Sequence, residues 1–415
     1  MTARFNPFRP GNIVNAGMFS GRGAELLALE RVLFQTKNGN PHHFIVTGER
    51  GIGKTSLFFY LNLVANGEIN SLEDTRFNFL VISIELQPTT TYAEIIKKIG
   101  SELQRTLSSH QKAAELLKTV WDFVKRWEAF GVSYTAPVKG ETPHQLLEDL
   151  TQTVAQVVEK TALHFDGILF LIDEADKPPA ESHLGEFVKL FSERLIKRGC
   201  ERFSIGLSGL PTLVKKLRDS HESAPRIFQI LSLEPLLPEE RIDVVRRGLT
   251  QATEKGSNVT IIASAEKMIA DLSEGFPHFI QQFAYCAFEA DQDDVIDDRD
   301  VQVGAFNEDS GAIQQLGLKY YEDPFFGQIS SEEYREVLRA MSMHSDDWIS
   351  KTTIRKETGL RELTLTNALR ALKNKNIILC KKGRKGVYRL PTKSFAVWIR
   401  AFTQRPSGTG SVAGS

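Results

Sequence analysis

Apolar runs alternate with amphipathic stretches along the first 235 residues of the chain. The runs predict five buried strands, at "HHFIVTGERG", Phe79–Leu86, Gly167–Asp176, Arg202–Gly209 and Ile227–Leu233. Apolar residues recur at helical spacing before the first strand, over Phe19–Gln35, and again after the second strand, where Thr91 and Glu94 have the spacing of a capping box. This alternation is typical of a parallel sheet covered by helices on both faces. The pattern therefore predicts an α/β domain over residues 1–235.

Residues 108–160 do not fit the alternation, because they are longer than one crossover connection requires. They include two amphipathic stretches, "KTVWDFVKRWEAF" and "TPHQLLEDLTQTVAQVVEKTA". We interpret them as an insertion in the α/β domain and as a candidate surface for a protein partner.

Beyond residue 235 the apolar pattern becomes helical only, as in "GFPHFIQQFAYCAFEA", while "DQDDVIDDRD" is predicted to be an acidic loop. This pattern predicts a small all-helical lid over residues 236–325. The tail, residues 404–415, is of low complexity and is expected to be disordered.

Residues 326–403 form a further predicted unit that begins with a helix at "SSEEYREVLRAMSMH". A short helix closed by Gly359 follows, and then a second helix with Leu363, Leu369 and Leu372 as inward-facing residues. Two short β runs joined by "KKGRKG" complete the unit. This order of elements is the outline of a winged helix, although winged helices serve as protein-binding modules as well as DNA-binding ones.

Charge is concentrated in this last unit. The whole chain has a formal net charge of -1, but residues 351–400 contain fourteen Lys and Arg against two acids, Glu357 and Glu362, and so carry +12. Charge concentrated in one segment indicates a separate surface with a separate partner, and a basic surface favours nucleic acid.

The positions of the cysteines and the hydropathy of the chain indicate the cellular compartment to expect. Cys200, Cys286 and Cys380 lie far apart with no C-x-x-C pair, which argues against a disulfide framework or a zinc site. No apolar run approaches the ~20 residues of a membrane helix, and the N-terminus lacks a secretory pattern. We expect a soluble cytoplasmic protein without a membrane partner.

The stretch "GERGIGKT" follows the pattern G-x-x-x-x-G-K-[ST] between a predicted strand and a predicted helix. Glycines allow several backbone N–H groups to face one anion, the lysine reaches the β and γ phosphates, and the threonine hydroxyl can ligate Mg²⁺. A glycine-rich turn that binds nothing could share the spacing, but the flanking elements favour ATP binding. The candidate residues are Gly48, Glu49, Arg50, Gly51, Ile52, Gly53, Lys54, Thr55 and Ser56.

The apolar run "ILFLIDEAD" ends on carboxylates. A strand that is buried on both faces carries charge only at its end, where ligands bind in open α/β sheets. Asp173 is the candidate partner of Mg²⁺, and Glu174 is the candidate that orients and activates water. The alternative is that the pair caps the following loop. Asp176 is assigned to a turn or a cap.

The order of these elements resembles the AAA+-related P-loop ATPases. "MFSGRGAEL" resembles the box beside the adenine in that superfamily, with Phe19 and Arg22 in the matching places. "FSIGLSGLPTL" is similar to the sensor-1 strand, and Ser208 matches its polar residue. The resemblance implies a catalytic set of Lys54, Glu174, Ser208 and an arginine finger that acts on a neighbour's nucleotide, for which Arg226 and its rival Arg218 are the candidates.

"GFPHFIQQFA" looks like the sensor-2 turn of the lid. Many AAA+ motors have an arginine there, whereas this chain has Gly275, Pro277 and His278. A G-x-P turn is more similar to the STAND-type NTPases and to origin-recognition-like or archaeal ATPases. The resemblance implies a slow switch, with Pro277 and His278 on the nucleotide.

The predicted fold is thus a P-loop NTPase with a parallel α/β sheet and a helical lid, followed by a winged helix. If the last unit binds DNA, its second helix would enter the major groove and its wing would contact phosphates. The candidate DNA-binding residues are Arg361, Thr364, Thr366, Asn367, Arg370, Lys381, Lys382, Arg384 and Lys385.

Two functional hypotheses follow. The first is an ATP-hydrolysing switch that positions the winged helix for DNA or a partner within a homo-oligomer, and the resemblance implies that its turnover is slow. The second is a nucleotide-binding adaptor that recruits a protein through residues 108–160 and has little or no turnover.

Overall fold

The computed structural model describes residues 4–13, 16–109, 143–344, 348–381 and 383–403. The chain divides into two compact units, Ile13–Glu234 and the combination of Met1–Asn12 with Pro235–Ser415. We call the first the sheet unit and the second the C-terminal unit. The finer predicted boundaries, at residues 325 and 403, remain predictions.

A parallel sheet forms the centre of the sheet unit, which confirms the predicted α/β class. Its strands are β1 (His43–Thr47), β2 (Leu80–Glu85), β3 (Ile168–Asp173), β4 (Phe203–Gly209) and β5 (Phe228–Ser232). Their order is β2-β3-β4-β1-β5, and all neighbours pair in parallel. β1 and β4 are buried along their whole length, because their apolar residues are covered on both faces.

The helices of this unit are α1 (Gly23–Lys37), α2 (Lys54–Ala65), α3 (Tyr92–Ser109), α4 (Pro143–Lys160), α5 (Leu184–Lys197) and α6 (Leu213–Ser220). Thr91 and Glu94 form the predicted capping box, since the N–H of Thr91 donates to Glu94 Oε2 at 2.7 Å and the N–H of Glu94 donates to Thr91 Oγ1 at 3.3 Å. α1 begins four residues later than predicted, because Gly21 and Arg22 have φ of 73° and 65°, outside the helical region.

The predicted insertion needs correction at α4. Leu147, Leu150, Val154 and Val157 on this helix are fully buried in the core of the sheet unit. α4 is therefore part of the covering layer between β2 and β3 rather than an inserted segment, because its apolar stripe packs inward. "KTVWDFVKRWEAF" lies outside the described residues, so the protein-partner prediction for that part stays a prediction.

The C-terminal unit begins with α7 (Pro238–Glu254), α8 (Ala263–Leu272), α9 (Pro277–Ala290), α10 (Asp298–Phe306) and α11 (Ala312–Leu316). The prediction of an all-helical lid is wrong in one respect: β6 (Thr260–Ile261) pairs in parallel with β7 (Val295–Ile296). The predicted acidic loop contains β7, and Asp297 in it caps α10 by accepting from the N–H groups of Arg299 and Asp300. Strands of two residues are too short to leave a periodic signal.

Two π-helical segments follow, Gly317–Tyr321 and Asp323–Gly327. After them come α12 (Glu332–Ser342), β8 (Ile349–Ser350), α13 (Lys351–Thr358), α14 (Glu362–Asn374), β9 (Leu379–Cys380), β10 (Val387–Arg389) and α15 (Lys393–Phe402). β10 lies between β8 and β9 and is antiparallel to both. Gly359 ends α13 in the left-handed region with φ of 66°.

The inward face of α14 differs from the prediction at one position. Leu369 and Leu372 are buried as predicted, but Leu363 is 73% exposed and Leu365 is buried in its place. Leu365, Leu369 and Leu372 share one helical face, and Leu363 is two residues out of phase with it. Among the described residues, no helix has the length and apolar character needed to span a membrane.

The burial of α4 can be tested by truncating one of its leucines. We expect Leu150→Ala to lower the free energy of unfolding by about 2–5 kcal/mol, because it opens a cavity in a closed core. Leu163→Ala is the matched control, since Leu163 is 95% exposed. Chemical denaturation of both variants measures the difference, and equal stability of the two would show that α4 does not pack in the core.

Candidate nucleotide-binding site

The glycine loop connects the buried strand β1 to the first turn of α2. Gly51 and Gly53 have φ of 78° and 96°, a region that favours glycine. Position 48 requires glycine for a different reason, which is lack of space: a Cβ there would lie 2.8 Å from Ile52 Cγ2 and 3.2 Å from the carbonyl oxygen of Leu233. Among the residues that the structure describes, no side chain caps α2 at Gly53, so the first N–H groups of this helix are available to an anion.

Lys54 and Thr55 begin α2 and lie beside the end of β3. The Lys54 amino group donates to the carbonyl oxygens of Gly48 and Glu49 at 2.8 and 3.0 Å. Burial lowers the pKa of Lys54, while nearby carboxylates, first that of Glu174, act in the opposite direction. A desolvated ammonium group in this position is a strong partner for phosphate oxygens.

Thr55 joins the loop to the carboxylate pair. Its hydroxyl donates to Asp173 Oδ2 at 2.8 Å, and Asp173 Oδ1 accepts from the N–H of Glu174 at 2.8 Å. β4 lies between β1 and β3, so this hydrogen bond brings together two segments from non-adjacent strands. The lysine, the threonine and the aspartate therefore share one end of the sheet, as a common metal–phosphate complex requires.

The donor set at this point suits Mg²⁺. Mg²⁺ prefers oxygen ligands and is usually held by one or two carboxylates together with substrate phosphates. Thr55 and Asp173 offer a hydroxyl and a carboxylate 2.8 Å apart. In the described ranges, His, Cys, Asp and Glu do not form a group of three or more that could hold a metal ion without such phosphates.

Glu174 has a strained backbone at the carboxyl end of β3. Its φ is 54°, a left-handed conformation that costs a residue with a Cβ about 1–2 kcal/mol. Burial raises the pKa of its carboxyl group, and the cation of Lys177, 3.7 Å away, opposes that shift. Lys177 was not singled out from the sequence, although its position three residues after Glu174 is a usable signal.

Asp176 has the predicted capping role. Its Oδ1 accepts from the N–H of Leu210 at 2.9 Å, and its carbonyl oxygen accepts from the Lys216 amino group. Gly209 permits this approach, because a Cβ there would lie 2.6 Å from Asp176 Oδ1. Asp176 thus fixes the loop after β3 to the end of β4.

Ser208 lies at the end of β4 and is fully buried. Within the described part of the chain, its hydroxyl has no hydrogen-bond partner. Its carbonyl oxygen accepts from the N–H of Ala175 at 2.8 Å, which places the strand end beside the segment that carries Glu174. A buried hydroxyl without a protein partner costs about 1–3 kcal/mol and is typical of a site that receives a ligand or water.

Phe19 and Arg22 lie before α1. The Phe19 ring stacks on Tyr60 of α2 with centroids 4.7 Å apart, a partner that was not predicted from the sequence. Arg22 is buried, and its guanidinium donates to the carbonyl oxygens of Ile52 at 3.0 Å and Glu234 at 2.6 Å. It therefore holds the glycine loop through protein contacts, whatever it contributes to an adenine.

Residues 37–217 match the family model of an AAA domain. The matched segment contains the glycine loop, the Asp173–Glu174 pair and Ser208, and the loop follows the phosphate-binding pattern between a strand and a helix.

The fold of the chain is shared with two solved structures. One is a Walker-type ATPase of Pyrococcus abyssi, with 18% identity, coverage of 92% of this chain and 96% of that chain, and a TM-score of 0.56. The other is the ORC2 protein of Aeropyrum pernix, with 14% identity, coverage of 95% and 96%, and a TM-score of 0.53. At this level of identity the likeness concerns the fold alone. No functionally curated protein matches the sequence.

The candidate arginine fingers are both on the surface. Arg226 is exposed and lies 3.8 Å from an equally exposed Glu222, and Arg218 is exposed on α6. Neither is brought to the glycine loop or to the Asp173–Glu174 pair by a described contact.

Pro277 and His278 lie in the C-terminal unit, in the first turn of α9. Burial lowers the pKa of His278 to about 4, and its ring packs against Tyr320 with centroids 5.2 Å apart. In the described structure its Nε2 has no hydrogen-bond partner. A contact between these residues and the nucleotide stays a prediction.

The predicted DNA-binding residues differ in exposure. Arg361, Asn367, Arg370, Lys381, Arg384 and Lys385 are exposed, Thr364 and Thr366 are half-buried, and Lys382 lies outside the described residues. The Thr366 hydroxyl is engaged already, since it donates to the carbonyl oxygen of Glu362 at 2.7 Å and accepts from Lys351 at 2.8 Å. Lys381 and Arg389 lie over the ring of Trp348, at 5.8 and 4.9 Å from its centroid.

The tight fit at Gly48 gives a test of the loop. We expect Gly48→Ala to weaken ATP binding about tenfold or more, because the added methyl group would displace Ile52 or the backbone at Leu233 and distort the anion cradle. Gly23→Ala is the control, since its Cβ would meet nothing within 4 Å. Titration of a fluorescent ATP analogue measures both, and unchanged affinity in Gly48→Ala would argue against this loop as the phosphate site.

Proposed function

We propose that this protein is an ATP-hydrolysing switch whose nucleotide state controls DNA binding by its C-terminal unit. The observation that carries the proposal is the hydrogen bond from Thr55 to Asp173, because it joins the glycine loop to the acidic strand end. A triphosphate in the loop would meet Lys54, the α2 amides and the Thr55–Asp173 oxygens together.

The roles of the catalytic residues follow from their positions. Lys54 would pair with the β and γ phosphates, and Thr55 and Asp173 would hold Mg²⁺, which when bound neutralises phosphate charge. Glu174 would accept a proton from the water that attacks the γ-phosphorus. Ser208 would donate its unpartnered hydroxyl to that water or to a γ-phosphate oxygen.

Other residues would complete the nucleotide site. The Phe19–Tyr60 stack offers an aromatic surface beside the loop for the adenine. Gly48 to Ser56 would surround the phosphates, with Arg22 fixing the loop from behind. Pro277 and His278 would approach the nucleotide from the lid.

The surface position of Arg226 supports a trans arginine finger in a homo-oligomer. Within the described part of the chain, the one ion pair of Arg226 is with the exposed Glu222, so its donors would be available to a neighbouring subunit's phosphates. Arg218 remains the rival candidate.

The charge arrangement of the C-terminal unit supports DNA as the partner. Glu362 forms ion pairs with Lys351 and Arg355, and Glu357 is hydrogen-bonded to His344, so both acids of the 351–400 segment have partners. Among the described residues, Arg370, Arg384 and Lys385 are exposed and form no ion pair, which favours phosphate contacts. The helix–helix–hairpin order of α13, α14, β9 and β10 supports the predicted winged helix.

The switch is tested by a single change in the catalytic pair. We expect Glu174→Gln to keep ATP affinity within about twofold and to lower turnover at least about 100-fold, because the amide cannot accept a proton. Steady-state phosphate release and nucleotide titration give the two quantities.

Glu201→Gln is the matched control, since Glu201 is an exposed glutamate near the opposite end of β4. Wild-type protein that binds ATP but releases no phosphate above background would exclude the switch and leave the nucleotide-binding adaptor.

The DNA assignment is tested by salt titration. The logarithm of the DNA affinity falls as the logarithm of the salt concentration rises. If Arg370 contacts a phosphate, Arg370→Ala should make this negative slope shallower by about one, whereas Lys97→Ala in α3 should leave it unchanged. Both are exposed cations, and only Arg370 belongs to the basic segment. A wild-type slope near zero would exclude the basic surface as a phosphate contact.

A further inference from the structure

The turn between α8 and α9 has an uncommon backbone. Glu274 and Gly275 are consecutive residues in the left-handed region, with φ of 51° and 84°. Gly275 leaves no space for a side chain, because a Cβ there would lie 2.6 Å from the carbonyl oxygen of Leu236. A glutamate held in this conformation is strained by about 1–2 kcal/mol, so its side-chain contacts must compensate the cost.

The Glu274 carboxylate caps α15, the last helix of the C-terminal unit. Its Oε1 accepts from the N–H of Lys393 at 2.5 Å and from that of Ser394 at 3.4 Å. The Thr392 side chain caps the same helix by accepting from the N–H of Phe395 at 3.2 Å. Two side chains thus share the amides of one helix start, one from the helix's own N-cap and one from a turn 119 residues earlier in the chain.

The same turn is bound to the segment that enters the C-terminal unit. The N–H of Leu236 donates to the carbonyl oxygen of Gly275 at 2.9 Å, and Arg241 Nε donates to the carbonyl oxygen of Leu236 at 2.8 Å. Gly275 and Glu274 therefore connect residue 236 to the first turn of α15 by two adjacent contacts.

In the sheet unit, Glu234 is linked to the glycine loop through Arg22. Arg22 donates to the carbonyl oxygens of both Glu234 and Ile52. The peptide from Glu234 through Pro235 to Leu236 joins this contact covalently to the Gly275 contact. A displacement of Ile52 would act through Arg22 on Glu234, and a displacement of Leu236 would act through the turn on α15.

We propose that Glu274 is a positioning residue that transmits the state of the glycine loop to α15, and so to the unit that would bind DNA. The inference rests on the proposed function, since it needs a nucleotide that alters the loop. A ligand shifts such an equilibrium only through a difference in affinity between the two arrangements, and the Arg22–Glu234 and Glu274–α15 contacts are the elements that would differ.

Hydrogen exchange of the full-length protein tests this without DNA. In the wild type, Mg²⁺ with a non-hydrolysable ATP analogue should slow amide exchange in residues 48–56 and change it in residues 393–396. In Glu274→Gln, the nucleotide should still slow amide exchange in residues 48–56. The nucleotide-induced change in exchange rate of residues 393–396 should fall by about two- to fivefold, which is the effect expected for losing a carboxylate charge at a helix start.

Two controls separate transmission from simple capping. Thr392→Val removes the other cap of the same helix and should leave the nucleotide response of residues 393–396 intact, while Glu308→Gln changes an exposed glutamate of the same unit. Thermal unfolding shows whether each variant is folded.

The outcomes distinguish this inference from the proposed function. No slowing at residues 48–56 in the wild type would overturn the proposed function and the inference with it. Slowing at residues 48–56 with no response at 393–396, or with the same response in Glu274→Gln as in wild type, would overturn the inference alone. Loss of the response in Thr392→Val to the same extent as in Glu274→Gln would show that Glu274 is only a cap.

Discussion

The hydrogen bond between the Thr55 hydroxyl and Asp173 is the contact on which the functional account depends. It joins the first turn of α2 to the end of β3 across the intervening strand β4. Because parallel strands present their carboxyl ends at one edge of the sheet, a loop after one strand and an acid on another can meet there. Lys54 and Glu174 stand next to these two residues in the chain and are placed by the same contact.

Several residues around this contact have a local structure that is unfavourable in free energy. Glu174 has a left-handed backbone, Ser208 buries an unpartnered hydroxyl among the described residues, and Lys54 is partly desolvated. Such costs are tolerated where the surrounding structure over-determines the local geometry. The Asp176–Leu210 and Ser208–Ala175 hydrogen bonds provide that support, because they connect β4 to the loop after β3.

Much of the fold was predictable because its signals are local. The strands of the sheet were recognisable as apolar runs, and the glycine loop and acidic strand end were recognisable because their chemistry demands particular residues at fixed spacing. Which face of a helix is buried is harder to predict from the sequence. Leu363 is apolar but exposed, because it lies two residues away from Leu365, which is on the buried face of α14. β6 and β7 escaped prediction because two residues cannot show a period.

Contacts between distant parts of the chain were not predictable from spacing. Arg22 was assigned to the adenine by resemblance, but its bonds to Ile52 and Glu234 depend on a fold that brings three separate segments together. The cap that Glu274 provides to α15 is of the same kind, because no sequence pattern relates a turn to a helix 119 residues away. α4 was predicted to be part of an insertion because residues 108–160 are longer than one crossover requires. Burial, rather than length, decides which helix covers a sheet, and the burial of α4 was not predicted.

The most direct test of the central claim is a crystal structure with Mg²⁺ and a non-hydrolysable ATP analogue. The account predicts the γ-phosphate within hydrogen-bond reach of Lys54, and the metal between that phosphate, the Thr55 hydroxyl and the Asp173 carboxylate. A nucleotide bound elsewhere, or a metal without Thr55 and Asp173 around it, would contradict the account.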